Sequence, residues 1–135
     1  MGHATAMLET HPDGLAGVDR QLVTACIEAC FDCAQTCTAC ADACLAEEMV
    51  AHLVRCASLN LNCADLCTTT GNMLSRPTGF DAVVALRTVQ ACTAALGACA
   101  MECERHSAMH EHCRVCAEAC RRAEQACQQL LGALG

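Results

Sequence analysis

Sixteen of the 135 residues are cysteine, and their spacing is regular enough to carry chemistry. From Cys26 they recur at Cys30, Cys33, Cys37, Cys40 and Cys44, in steps of 4-3-4-3-4 whose mean of 3.6 is one helical turn. At about 100° per residue the six thiols stay within a stripe roughly 80° wide, and Glu28, Asp32, Gln35 and Asp42 fall on the opposite side. Cys56, Cys63 and Cys67 form a second stripe, Cys92, Cys99 and Cys103 a third with the same 7-then-4 spacing, and Cys113, Cys116, Cys120 and Cys127 a fourth. A strand would need period two, and zinc knuckles would need C-x-x-C pairs in Gly-containing loops; neither fits.

The chemistry implied is soft-metal ligation. Helix neighbours at i and i+4 have Cβ atoms about 5 to 6 Å apart, and a metal–thiolate bond is about 2.3 Å by analogy with zinc, so a two-coordinate ion can bridge them. Such pairs recur at 26/30, 33/37, 40/44, 63/67, 99/103 and 116/120. Soft ligands with a low coordination number favour Cu(I) over the closed tetrahedron of Zn(II), and bridging thiolates allow on the order of one Cu(I) per Cys, roughly 16 to 20 ions. An isolated buried Cys is usually a small hydrophobe. Sixteen on four inward stripes, with little competing Leu, Ile or Phe, are better explained as ligands.

Composition bounds the alternatives. A chain of this length fits one domain, read as residues 19–133, with residues 1–18 as an N-terminal extension. The net charge of -7 argues against nucleic-acid or anionic-membrane partners, and no uncharged 18-residue apolar run suggests a transmembrane helix. Residues 1–14 lack the features of a secretory signal, so the expected compartment is the reducing cytoplasm, where a disulfide scaffold is disfavoured.

The elements that must position these thiols are four helices. Cys44 and Cys56 are 12 residues apart, about 120° out of register on a straight helix, so a turn is expected near Leu45 to Val50, with Glu47 and Glu48 at the start of the second helix. Arg76-Pro77-Thr78-Gly79 marks the next connection, and Asp81 opens the third helix. A break near His106 to Ala108 precedes the fourth, with Ser107 as its cap and Gly132 as its stop. Short connections imply an all-α, antiparallel up-down four-helix bundle with a Cys-lined core.

That topology gathers Met49, His52, His106, Met109, His110 and His112 at one end, where thioether and imidazole beside thiolate would give exchangeable Cu(I) sites, an entrance. The other end holds Leu22, Val23, Leu74, Phe80, Val83, Val84, Leu86, Leu130 and Leu131, read as an apolar plug.

With C-x3-C-x2-C-x3-C-x2-C-x3-C on the first helix and C-x6-C-x3-C on the second and third, the sequence resembles the bacterial cytosolic copper storage proteins over about Asp19 to Leu131. The resemblance implies a four-helix bundle, commonly tetrameric, that fills with Cu(I) through its cysteines. It implies all sixteen Cys as ligands and His106, His110 and His112 of HSAMHEHC as mouth histidines, with Met49, His52 and Met109 less closely matched. A copper chaperone is the partner to expect, and an enzyme is not expected, since no paired nucleophile, phosphate loop or carboxylate pair is found. A Zn(II) or Cd(II) thiolate buffer remains an alternative. So does an iron–sulfur electron carrier, although such sites usually draw four Cys from loop-rich spacings.

Overall fold

The computed structural model describes residues 2–13 and 17–134, and among them there are helices and no strands. A short helix α1 (Ala4–Thr10) precedes four long ones: α2 (Arg20–Ala46), α3 (Val54–Leu74), α4 (Ala82–His106) and α5 (Glu111–Leu134). A single 3-10 turn, Val50–His52, lies between α2 and α3. Each long helix packs against two others, α2 on α3 and α5, and α4 on α3 and α5, which closes a ring.

The helix ends follow local chemistry. Asp19 Oδ1 accepts from the Gln21 N–H at 2.9 Å to open α2. Asp81 Oδ1 accepts from Val83 and Val84 N–H, both at 3.0 Å, and so satisfies two of the donors that the first turn of α4 leaves free. Ser107 acts differently from the expectation: its Oγ donates to Glu104 O at 2.9 Å, finishing α4 instead of opening α5. Gly132 does not stop α5, which runs on to Leu134. Gly without a turn-forming partner is only a mild helix breaker.

The core is the sulfur stripe itself. All sixteen cysteines are buried, fifteen at 0% exposure and Cys40 at 2%. Glu28, Asp32, Gln35 and Asp42 face outward as their register requires. Leu53, Leu96, Leu130, Val23 and Val89 are the large aliphatic side chains fully buried among the thiols. Of the expected plug, Val23, Leu74 and Leu130 are buried, whereas Phe80, Val83 and Val84 are 37%, 64% and 54% exposed. Phe80 precedes α4, and Val83 and Val84 occupy its first turn, where Ala85 takes the inward position, followed one turn later by Val89.

Two features exceed the sequence reading. Leu8 of α1 is buried and the helix packs on α2, while His11 Nε2 lies 3.1 Å from Thr78 Oγ1, fastening the N-terminal segment to the connection after α3. By length and a mean hydropathy of 1.5, α4 could cross a membrane, properties that helices of a protein core share. Here α4 forms one side of the ring and turns Cys92, Leu96, Cys99 and Cys103 inward.

Candidate metal centre

Four helices bring the thiols together mainly across their interfaces. Cys26 Sγ lies 3.5 Å from Cys127 Sγ, Cys33 3.6 Å from Cys120, Cys37 3.7 Å from Cys116 and 4.0 Å from Cys99, Cys56 3.7 Å from Cys103, and Cys67 3.8 Å from Cys92. Residue numbers rise on one helix as they fall on its neighbour. Several groups have all their ligand atoms within 4.8 Å of one another, among them 26/30/127, 30/67/92, 33/37/63/120, 37/99/116/120 and 40/44/56/113. With bonds of about 2.3 Å, a linear S–metal–S unit spans about 4.6 Å and a trigonal one about 4.0 Å. The lumen therefore suits low-coordinate thiolate sites without rearrangement of the helices.

The i, i+4 pairs 26/30, 33/37, 40/44 and 116/120 appear inside these groups, joined by a third or fourth sulfur from another helix. Cys30, Cys37 and Cys120 each belong to more than one group, so the clusters overlap along the axis. Cys103 meets Cys56 at 3.7 Å.

The 7-residue steps in the stripes conceal further lumen residues. Asn60 sits four after Cys56 and three before Cys63, restoring the 4-3-4 spacing of α2, and Leu96 fills the same gap between Cys92 and Cys99. Asn60 is fully buried; its Oδ1 accepts from Cys99 at 3.0 Å, Cys116 at 3.2 Å and Cys103 at 3.5 Å, and its Nδ2 donates to Cys56 at 3.8 Å. A buried amide with this many sulfur partners has both its oxygen and its nitrogen engaged and places an oxygen in the middle of the array. Sequence reasoning passed over it, though the gap in the stripe was its signal.

At the end formed by the C-termini of α2 and α4 and the N-termini of α3 and α5, the six expected soft residues divide. His112 Nδ1 lies 3.4 Å from Cys40 Sγ and 3.6 Å from Cys113 Sγ. His112 precedes Cys113 by one residue and so lies about 100° around the helix from that stripe, and from there it reaches across to α2. His106 Nε2–H donates to Glu102 Oε2 at 2.9 Å. His110 Nδ1–H and His112 Nε2–H both donate to Glu47 Oε2, at 2.9 and 2.8 Å. Met49, His52 and Met109 are exposed. The 3-10 turn breaks helical register before α3, so Met49 and His52 do not continue the stripe of Cys56, and Leu53, at 0% exposure, takes the inward place. Met109 lies in the connection before α5, outside helical register.

Neither carboxylate was foreseen in this place. Glu47 ends α2 instead of starting α3. Glu102 is 7% exposed and is also approached by Arg55 at 3.4 Å and Arg105 at 3.6 Å, which balance its charge.

The electrostatics are those of crowded thiols. Burial pushes the Cys44 thiol up to about 11 and raises Cys113 as well. Hydrogen bonds from Cys103 and Cys116 lower the Cys40 thiol. The Nε2–H of His112 holds the Glu47 carboxyl below the usual carboxylate range. Burial opposes protonation of His112, but its contacts with Cys40 and Glu47 prevail and raise its pKa above the ordinary 6.5.

Comparison with known proteins points in one direction. The sequence profile described as copper storage protein matches residues 19–132. The chain is 34% identical over 110 residues to YhjQ, an uncharacterised cysteine-rich protein of Bacillus subtilis strain 168, covering 82% of this chain and 96% of that one. It is similar to the copper storage protein Ccsp of Streptomyces lividans loaded with 10 copper equivalents, at 55% identity and TM-score 0.95, over 96% of this chain and 98% of that chain. A cytosolic copper storage protein from Streptomyces lividans holding five coppers is similar at 58% identity and TM-score 0.87, over 89% and 100% of the respective chains.

Proposed function

The chain belongs to the copper storage protein family, and from that premise we propose that it stores and buffers many Cu(I) ions on its cysteine thiolates. The observation that carries the reading is the overlap of buried thiol groups from Cys26 and Cys127 at one end to Cys40 and Cys113 at the other. Shared sulfurs let one thiolate serve two ions, which is how sixteen cysteines reach a capacity on the order of one Cu(I) each. In this reading all sixteen are ligands, Asn60 Oδ1 adds an oxygen in mid-lumen, and His112 joins the thiols of the mouth. His106, His110, Met49, His52 and Met109 form the exchangeable entrance.

The architecture we infer is an antiparallel up-down four-helix bundle of α2 to α5, supported by the closed ring of contacts and the opposed residue numbering across each interface. Residues 19–133 are the storage domain, and residues 1–18 an extension that packs on it through α1. A cytoplasmic location is supported by the relative described as cytosolic. A homotetramer and delivery by a copper chaperone complete the proposal, with storage, not turnover, as its activity.

Anaerobic titration against a competing Cu(I) chelator tests the function. Saturation near 16 to 20 ions, roughly one per thiolate, is expected, and saturation at one or two would refute it. The four-sulfur groups would also accept Zn(II) or Cd(II). In the same titration, Cu(I) should displace Zn(II) at equal exposure.

A further inference from the structure

One oxygen at the mouth, Glu47 Oε2, accepts from two imidazoles: Nδ1–H of His110 at 2.9 Å and Nε2–H of His112 at 2.8 Å. A carboxylate only accepts, so each nitrogen facing it carries the proton. A neutral imidazole has a single N–H, and the nitrogens facing Glu47 are of opposite kind, so the two rings are fixed as opposite tautomers. In His112 the lone pair is left on Nδ1, beside the sulfurs of Cys40 and Cys113. In His110 it is left on Nε2. The ring centroids are 5.6 Å apart, inclined by 33°. Glu47 closes α2, whereas His110 and His112 flank the start of α5, so the contact also joins two helix ends.

We propose that Glu47 is a positioning residue for copper uptake: by setting the two tautomers it presents His110 Nε2 and then His112 Nδ1 to an incoming Cu(I), ahead of the thiols of Cys40 and Cys113. The proposal rests on the copper-storage reading. Each ring in its neutral form offers its lone pair without losing a proton, so passage between the neutral rings needs no acid–base step. Without the carboxylate each ring populates both tautomers, and a share of molecules turns an N–H, not a lone pair, toward Cys40. Outer carboxylates that orient metal-binding histidines typically contribute 10- to 100-fold.

Two measurements on the full chain test this. Nitrogen-15 spectra of the reduced apo protein, at a pH high enough to keep both rings neutral, should show His112 as the Nε2–H tautomer and His110 as the Nδ1–H tautomer, and Glu47→Ala should convert both to mixtures. Stopped-flow transfer of Cu(I) from a chromophoric chelator, under anaerobic conditions, should be slower in Glu47→Ala by about tenfold, with the final number of ions unchanged. Glu47→Gln preserves the size of the side chain and guards against loosening of the loop; its single amide oxygen supports the rings incompletely, and its rate should lie between the two. Other tautomers in the wild-type protein, the same tautomers in Glu47→Ala, or transfer at the wild-type rate would each overturn the proposal. A wild-type chain that binds only one or two ions would instead remove the storage reading, and the tautomers of the apo protein would still decide the role of Glu47.

Discussion

Asn60 shows how one polar residue organises a sulfur core. Its amide meets four thiols from α3, α4 and α5, and it lies at 0% exposure. Asn60→Ala removes the shared acceptor and leaves a small cavity, so the reduced apo protein should lose about 1 to 3 kcal/mol of stability. Urea unfolding measures this, and an unchanged midpoint would contradict the role. A second prediction concerns protons. Cys44, raised to about 11, and Cys113, also raised, are neutral thiols at neutral pH. Only the thiolate binds copper, so each such residue must release its proton as Cu(I) arrives. Protons therefore compete with copper, and apparent affinity should fall as pH falls. Loading in weak buffer with an indicator dye should release about one proton per neutral thiol engaged; no release would mean that the ligands were already ionised.

At the scale of the element, Asp81 gives the clearest prediction. Its carboxylate accepts from two N–H groups at the start of α4, so Asp81→Ala should cost about 1 kcal/mol, read as a lower urea midpoint with little change in copper capacity. This cap, the break after Leu45 and all four sulfur stripes were legible in the sequence because each depends on local periodicity or on a short-range hydrogen bond. The thiol clusters were legible only in part. Spacing along one helix identifies the pair 33/37, but the partnership with Cys63 and Cys120 depends on how neighbouring helices are aligned. His112 illustrates the same limit: it stands beside the stripe of α5, not on it, and its target, Cys40, lies on α2. Glu47 was assigned to the wrong helix end because a charge can favour a helix N-terminus while a tertiary partner holds it elsewhere. Nothing in residues 1–18 signalled that Leu8 would be buried, since one apolar side chain in a 7-residue helix has no period to detect.

Across the whole molecule the stripes create a tension that copper should relieve. The lumen is filled by small thiols, with few large aliphatic side chains fully buried among them, so apolar burial per core residue is modest. Sulfur–sulfur approaches of 3.5 to 4.0 Å contribute only weak S–H contacts in the metal-free chain. Each Cu(I) replaces such contacts with metal–sulfur bonds that exist only when the helices are in place, so ion binding is linked to folding. At a free-ion level about a thousandfold above the dissociation constant, one site adds about 4 kcal/mol. The loaded protein should therefore resist urea or heat far better than the apo protein. Resistance should increase with each increment of copper, and a Cu(I) chelator should return it to the apo value. Because sites sharing Cys30, Cys37 and Cys120 are joined through common sulfurs, partial loading should stabilise the chain as a whole, moving one unfolding transition upward. A fully loaded protein that unfolds at the apo midpoint would show that copper rides on the bundle without holding it together.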